Sequence, residues 1–149
     1  MHYCYILNMD LCYMHNYPVM FIIMMVSGLL STMNIWVDKY QDIRLSINDL
    51  YMTLLMTGWM FLFMGMFYID KLIILFGLTL LLLSVWCIRT QFLVNQNQYI
   101  NGMIPHHSMA LHMSKKLLNE TPAIEPFLIN LIHIQEKEIE YLKGSIIKN

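Results

Sequence analysis

The chain has 149 residues, of which 58% are hydrophobic and only 13% are charged. A soluble domain usually carries about twice that share of charged residues, so the composition excludes an ordinary soluble protein. The net charge of −1 provides no basic surface, and we therefore expect no nucleic-acid partner.

A polar and aromatic lead segment, residues 1–17, precedes the first apolar block. It is unusually dense in side chains that bind soft metals, namely His2, Cys4, Met9, Cys12, Met14 and His15. Their spacing matches no known metal site. The lead segment is therefore interpreted either as a metal-gathering arm or as a segment without a metal role.

Three long blocks of the chain, 18–37, 50–69 and 72–88, contain no Asp, Glu, Lys or Arg. Because a bilayer core is crossed by roughly 20 apolar residues, these blocks are typical of transmembrane helices. We predict an integral membrane protein whose transmembrane region covers 18–89 and whose immediate partner is the lipid bilayer. The predicted spans are about 18–37, 49–69 and 72–88.

The charged residues between the spans indicate how the spans are connected. Asp70 and Lys71 are the whole connection between the second and third spans, which predicts a tight antiparallel pair. Gly58 and Gly65 in the second span are expected to allow close helix approach. Since no charged residue lies inside a span, the pattern argues against a proton or ion pump.

The distribution of basic residues favours one orientation in the membrane. Lys39, Arg44 and Arg89 lie near one membrane surface, and Lys71 lies near the other. By the positive-inside rule, this small excess predicts that the C-terminal domain is cytoplasmic.

The composition changes at residue 90, so we assign 90–149 to a separate C-terminal domain. One helix is predicted to continue from the third span to about Asn119, with a bend near Gly102 or Pro105 because proline removes a helical hydrogen bond. A second amphipathic helix is predicted from about Glu125 to Ile147, after a turn.

The predicted fold class is therefore all-α, with three transmembrane helices followed by an antiparallel two-helix hairpin. Two helices of this length cannot bury a core alone. We expect the hairpin to form a homodimer through its helices, as a four-helix bundle, or to lie on the membrane helices.

The candidate metal-binding residues lie on the first of these two helices. If the segment is helical, Met103, His106, His107, Ala110 and Met113 fall within about 120° of one another. Imidazole and thioether donors together favour copper, especially Cu(I), over magnesium or calcium. The sequence thus predicts a copper site on this face.

The second helix carries two polar residues on its otherwise apolar face. Gln135 and Glu138 lie on a stripe with Leu128, Leu131 and Leu142. A carboxylate on a packed face needs a partner, and the two histidines of the preceding helix are the natural ones. Gln135 or Glu138 could orient an imidazole by accepting its ring N–H, or Glu138 could itself bind the metal. The alternative is a His–Glu contact that only fixes how the helices pair.

These residues carry a resemblance to a known family. Met103-Ile104-Pro105-His106-His107, with Ala110 and Met113, followed by Gln135 and Glu138-Ile139, resembles the family called domain of unknown function 305. That family has an M-I-P-H-H signature and a downstream Q-x-x-E-I on a ferritin-like helical scaffold, and some members bind copper. Others join one such unit to several membrane spans.

The resemblance covers roughly residues 92–145 and implies a ferritin-like half-bundle. It implies that His106, His107, Met103 and Met113 are the metal ligands, with Gln135 and Glu138 as the paired motif. Family members usually carry a methionine four residues after this glutamate, where this chain has Leu142. If that methionine is a ligand, the site here has one donor fewer.

Other methionines and histidines suggest further possibilities. In the second span Met52, Met56, Met60 and Met64 repeat every four residues, and could line a copper path or simply pack between helices. His112 and His133 point away from the candidate face and are expected on the surface.

The function that these observations predict is membrane-anchored copper binding, for sequestration or tolerance. No nucleotide-binding, hydrolase or metalloprotease motif appears, so we do not expect an enzyme. The alternative is a structural or assembly module without metal, in which the hairpin mediates oligomerisation.

Overall fold

The computed structural model describes residues 16–118, 120 and 122–147, and within them the chain is all-helical, without strands. This confirms the all-α part of the predicted fold class. The lead-segment donors at residues 2–15 lie outside the described residues. The five α-helices of the described part are α1 (Tyr17–Leu30), α2 (Ile47–Tyr68), α3 (Lys71–Thr90), α4 (Gln96–Leu118) and α5 (Glu125–Ile147).

Three helical segments are long and apolar enough to cross a membrane, at Tyr17–Trp36, Ile47–Tyr68 and Lys71–Thr90. The first differs from the uniform helix predicted over 18–37, because α1 ends at Leu30 and a single 3-10 turn follows at Met33–Trp36. The hydroxyl residues after Leu30 break the helix, and the Ser31 N–H closes it by bonding the carbonyls of Ser27 and Gly28.

The acidic residues at the span boundaries begin the next helices. Ser46 and Asp49 form a capping box at the start of α2, in which each side chain accepts a hydrogen bond from the other residue's backbone N–H. Asp70 caps α3 by accepting hydrogen bonds from the N–H groups of Leu72 and Ile73. The short link between α2 and α3 therefore forms as the sequence predicts.

The two helices of this pair approach closely through glycine. A Cβ at Gly58 would lie 3.3 Å from the carbonyl oxygen of Gly77, and a Cβ at Gly77 would lie 2.5 Å from the backbone nitrogen of Leu62. A Cβ at Gly65 would likewise lie 2.6 Å from the backbone nitrogen of Ile74. The predicted role of Gly58 and Gly65 is confirmed, and Gly77 is their counterpart on α3.

The prediction that one helix continues from the third span to about Asn119 is wrong. The chain leaves α3 at Gln91 and turns again at Leu93, with left-handed φ values of 49° and 56°. The next helix starts after Asn95, whose side-chain oxygen accepts a hydrogen bond from the N–H of Gln98. α3 and α4 are thus separate helices, whereas α5 has the predicted bounds.

The loop between α1 and α2 packs against α4 and α5. The Ser108 hydroxyl of α4 donates to Asp42 Oδ2 at 2.7 Å and accepts from the Asp38 N–H at 2.9 Å. Asp42, which is 1% exposed, also forms an ion pair with Lys143 of α5. Lys115 pairs with Asp38 at 2.9 Å, and this hydrogen bond raises the pKa of Lys115. The loop therefore contacts both C-terminal helices.

The contacts between α4 and α5 pair positions near the end of one helix with positions near the start of the other. Leu117 and Leu128 line one cavity, Lys115 lies 3.3 Å from Glu136, and Met103 lines another cavity with Leu142. Residues late in α4 thus lie beside residues early in α5.

Candidate metal centre

The contacts with the loop determine which side of α4 faces α5. Ile104 and Ser108 are completely buried, and Leu111 is nearly so. Because successive helical positions are 100° apart, fixing Ser108 toward the loop turns His107 toward α5.

The His107 ring is held by two side chains of α5. Its Nδ1 lies 3.0 Å from Glu138 Oε2 and within hydrogen-bond distance of Gln135 Oε1. Two oxygen acceptors at Nδ1 indicate a proton on that nitrogen, and in the neutral imidazole this arrangement leaves the Nε2 lone pair available. An imidazole held in this way is positioned to bind a metal through Nε2.

A cavity of about 460 Å³ adjoins this ring between α4 and α5. Met103 and Glu138 line the cavity together with His107, and Tyr99 and Tyr141 lie at its sides. One thioether, one imidazole and one carboxylate therefore share a single space. This donor set fits copper better than it fits a hard cation.

The structure does not bring all four predicted ligands together. His106 is exposed, with its ring centroid 5.8 Å from that of His107, and does not line the cavity. Met113 is 53% exposed and lines a different cavity of about 530 Å³ with Trp36 and Leu128.

The separation of Met113 has a simple geometric cause. Residues that share a helical face also rise by about 1.5 Å each, so Met103 and Met113 are about 15 Å apart along the axis. Metal–ligand bonds are on the order of 2 Å, so one ion cannot bind both thioethers. Met103 and His107, one turn apart, are the pair that can act together.

The site has few donors from one chain. Within residues 16–118, 120 and 122–147, no group of three or more His, Cys, Asp or Glu side chains is placed to hold a metal ion. Leu142 lines the same cavity as Met103 and His107. The position at which the resembling family usually has methionine thus faces the candidate site, and leucine supplies no donor there.

Sequence reasoning missed the two tyrosines of the cavity and the loop contacts. Tyr99 lies four residues before Met103, and Tyr141 lies three residues after Glu138, so helical spacing could have identified both. Ser108, a polar residue between buried positions, was the available signal for the loop contact. His133 is exposed as expected, whereas His112 is partly buried, with Nδ1 4.0 Å from Asp38 Oδ1.

The methionine ladder of the second span does not form one continuous lining. Met56 and Met60 line a cavity of about 220 Å³ together with Met24 of α1. Met52 is half exposed on the outer surface of α2 and does not line this cavity. A copper path along α2 stays a prediction.

Over the residues that the structure describes, these features define an all-helical protein in which three segments are long and apolar enough to cross a membrane and two further helices line a His–Met cavity. No family model and no solved structure matches the chain. The chain is 44% identical to the uncharacterized protein L153 of Acanthamoeba polyphaga mimivirus, over 85% of this chain and 88% of that protein. The chain belongs to the same family as this viral protein.

Proposed function

We propose that the protein is a membrane-anchored metal-binding protein, with Cu(I) as the preferred ion, that serves metal sequestration or tolerance. In this proposal α1, α2 and α3 anchor the chain in the bilayer. α4 and α5 form an antiparallel hairpin, half of a ferritin-like bundle, on the cytoplasmic side. The protein binds metal and catalyses no reaction.

The observation that supports this function is the cavity shared by His107 and Met103. His107 is oriented by Gln135 and Glu138, so that its remaining ring nitrogen is available to a soft metal beside a thioether. A histidine that served only to pair two helices would need neither a cavity nor a neighbouring thioether.

The test is Cu(I) affinity of the detergent-purified protein, measured by competition with a chromogenic chelator. We expect His107→Ala to abolish tight binding, and Gln135→Leu to weaken it by about 10–100-fold because the ring loses its orienting partner. His133→Ala, on the exposed side of α5, is the matched control and should bind as the wild type does.

The leucine at position 142 offers a gain-of-function test of the same site. Leu142→Met would add a thioether to the cavity with little change in side-chain volume, so Cu(I) affinity should rise. If the wild type and Leu142→Met both bind no more copper than His107→Ala, the metal function is wrong.

The second candidate function is an assembly module without metal. The direct contact of His107 with Glu138 and Gln135 favours it, since such a polar contact also fixes the pairing of two helices. In that case His107→Ala would loosen the hairpin or its oligomer, while the wild type would bind no copper.

A further inference from the structure

Each of the two C-terminal helices carries an exposed row of large side chains with a seven-residue repeat. On α4 the row contains Tyr99, His106 and Met113, and all three are exposed. On α5 it contains Phe127, Ile134 and Tyr141, which are 62%, 41% and 76% exposed. A seven-residue repeat is typical of helix surfaces that pack against other helices in a bundle.

The two rows lie on either side of the candidate metal cavity. Tyr99 and Tyr141, one from each row, line it directly. The loop packs on the other side of both helices, through Ser108 and Lys143. The pair α4–α5 therefore has one side covered by the loop and one open apolar side that contains the cavity, with the Met113 end of the α4 row adjoining Trp36 of the loop.

The open side carries hydrogen-bonding groups that are complementary to those of a second copy. The α4 row has His106 at its centre, and the α5 row has Glu138 between Ile134 and Tyr141. Glu138 remains 47% exposed despite its contact with His107. In a two-fold dimer each His106 can meet a Glu138, while the flanking apolar side chains pack against one another.

One chain also supplies only about half of the donor atoms that Cu(I) commonly binds. In one chain His107 and Met103 line the cavity with one imidazole and one thioether, and Leu142, which also lines it, adds no donor. Two copies facing each other would supply two imidazoles and two thioethers. Metal sites in helical bundles are commonly built in this way, from side chains on facing helices.

We propose that a second copy of this chain docks on the open side of α4 and α5 and that one Cu(I) ion is shared between the two copies. The metal half of this inference rests on the proposed function. The occupant is another copy, since the surface combines a bundle repeat, self-complementary hydrogen-bonding groups and an incomplete donor set.

The experiment combines oligomeric state with copper stoichiometry. Light scattering coupled to size-exclusion chromatography of the full chain in mild detergent should show a dimer, with one Cu(I) per two chains at saturation. Ile134→Glu introduces a charge into the α5 row without touching the cavity residues. It should give monomers and weaken Cu(I) binding at least tenfold.

The control is His133→Glu, which adds the same charge at the neighbouring exposed position outside the row and should leave the dimer intact. A wild-type monomer that binds one Cu(I) tightly would overturn the shared site and leave the proposed function standing. A dimer that binds no copper would remove the proposed function and the shared ion. A dimer that survives Ile134→Glu would show that the wrong surface was chosen.

Discussion

Asp42 is the residue on which the loop between α1 and α2 depends. It is buried in a polar loop, its Oδ2 accepts a hydrogen bond from Ser108, and its Oδ1 pairs with Lys143. A buried carboxylate is costly unless its charge is compensated, so the two C-terminal helices must be in place for the loop to keep this conformation. The same contact sets the rotation of α4 that points His107 at α5.

Replacing Lys143 with methionine should therefore destabilise this part of the molecule. Lys143→Met keeps the apolar stem but leaves Asp42 with an uncompensated charge, and the expected loss is about 3 kcal/mol, the low end for a broken buried pair, because Lys143 is partly exposed. Thermal unfolding in detergent, followed by tryptophan fluorescence, would measure it, with Trp36 reporting from the loop.

Two further variants separate charge compensation from a general effect. Lys137→Met, at an exposed position of α5, should change stability by less than about 0.5 kcal/mol. Adding Asp42→Asn to Lys143→Met should recover part of the loss, because the buried charge is then gone. If Lys143→Met is as stable as Lys137→Met, the ion pair does not hold the loop.

At the same scale, the sequence predicts the residue types of the candidate site better than their grouping. The helical wheel correctly places Met103 near His107, because one turn separates them. It cannot separate Met113, since an angular projection ignores the axial rise. The loop contact that turns His107 inward depends on Asp42, a residue 65 positions away, and periodicity carries no information about it.

At the level of helices, what the sequence predicts depends on whether a helix end has a recognisable signal. Asp70 and Ser46 are ordinary N-caps, and the starts of the helices that follow them were predicted within two residues. The break between α3 and α4 has no glycine, since the left-handed positions are Gln91 and Leu93. These residue types do not indicate a helix end, so a continuous helix was the natural but wrong prediction.

The close contact between α2 and α3 predicts the effect of adding one methyl group at Gly77. In Gly77→Ala the new Cβ would meet the backbone of Leu62, which cannot move aside as a flexible side chain could. The helices must separate, and we expect a loss of about 1–3 kcal/mol, as for other overpacked contacts. Unfolding in detergent would measure the change.

Gly144→Ala provides the comparison for this variant. A Cβ at Gly144 would meet nothing within 4 Å, so only helix propensity changes, and stability should rise by about 0.5–1 kcal/mol. Gly77→Ala with unchanged or increased stability would mean that the two helices do not approach through glycine in the membrane.

At the scale of the whole molecule, the number of membrane crossings determines which segments lie on the same side of the bilayer. The end of α1, the loop, the start of α2 and the end of α3 lie together, and the loop contacts both C-terminal helices. The start of α1 lies at the opposite end, where the Tyr17 hydroxyl is 3.5 Å from Asp70. If all three candidate spans cross the bilayer, the loop and the candidate cavity lie on one side of it.

Single cysteines in a variant without Cys4, Cys12 and Cys87 would test this arrangement with a membrane-impermeant maleimide. Gln41→Cys in the loop and Gly144→Cys in α5 are both at exposed positions and should label from the same side. Lys71→Cys, at the start of α3, should label only from the other side. By the positive-inside rule, the first two should react in cells only after permeabilisation.

The labelling pattern tests both the number of membrane crossings and the side of the membrane on which the candidate cavity lies. Labelling of Gln41→Cys and Lys71→Cys from one side would remove the second span, and with it the topology. The opposite overall orientation would keep three crossings but place the candidate cavity outside the cytoplasm. Cu(I) would then have to be captured in an oxidising compartment, whereas the lead segment with Cys4 and Cys12, on the other side of the bilayer, would face the reducing cytoplasm. Under the proposed function, sidedness thus decides whether the cavity would sequester copper that has entered the cell or bind it before it enters.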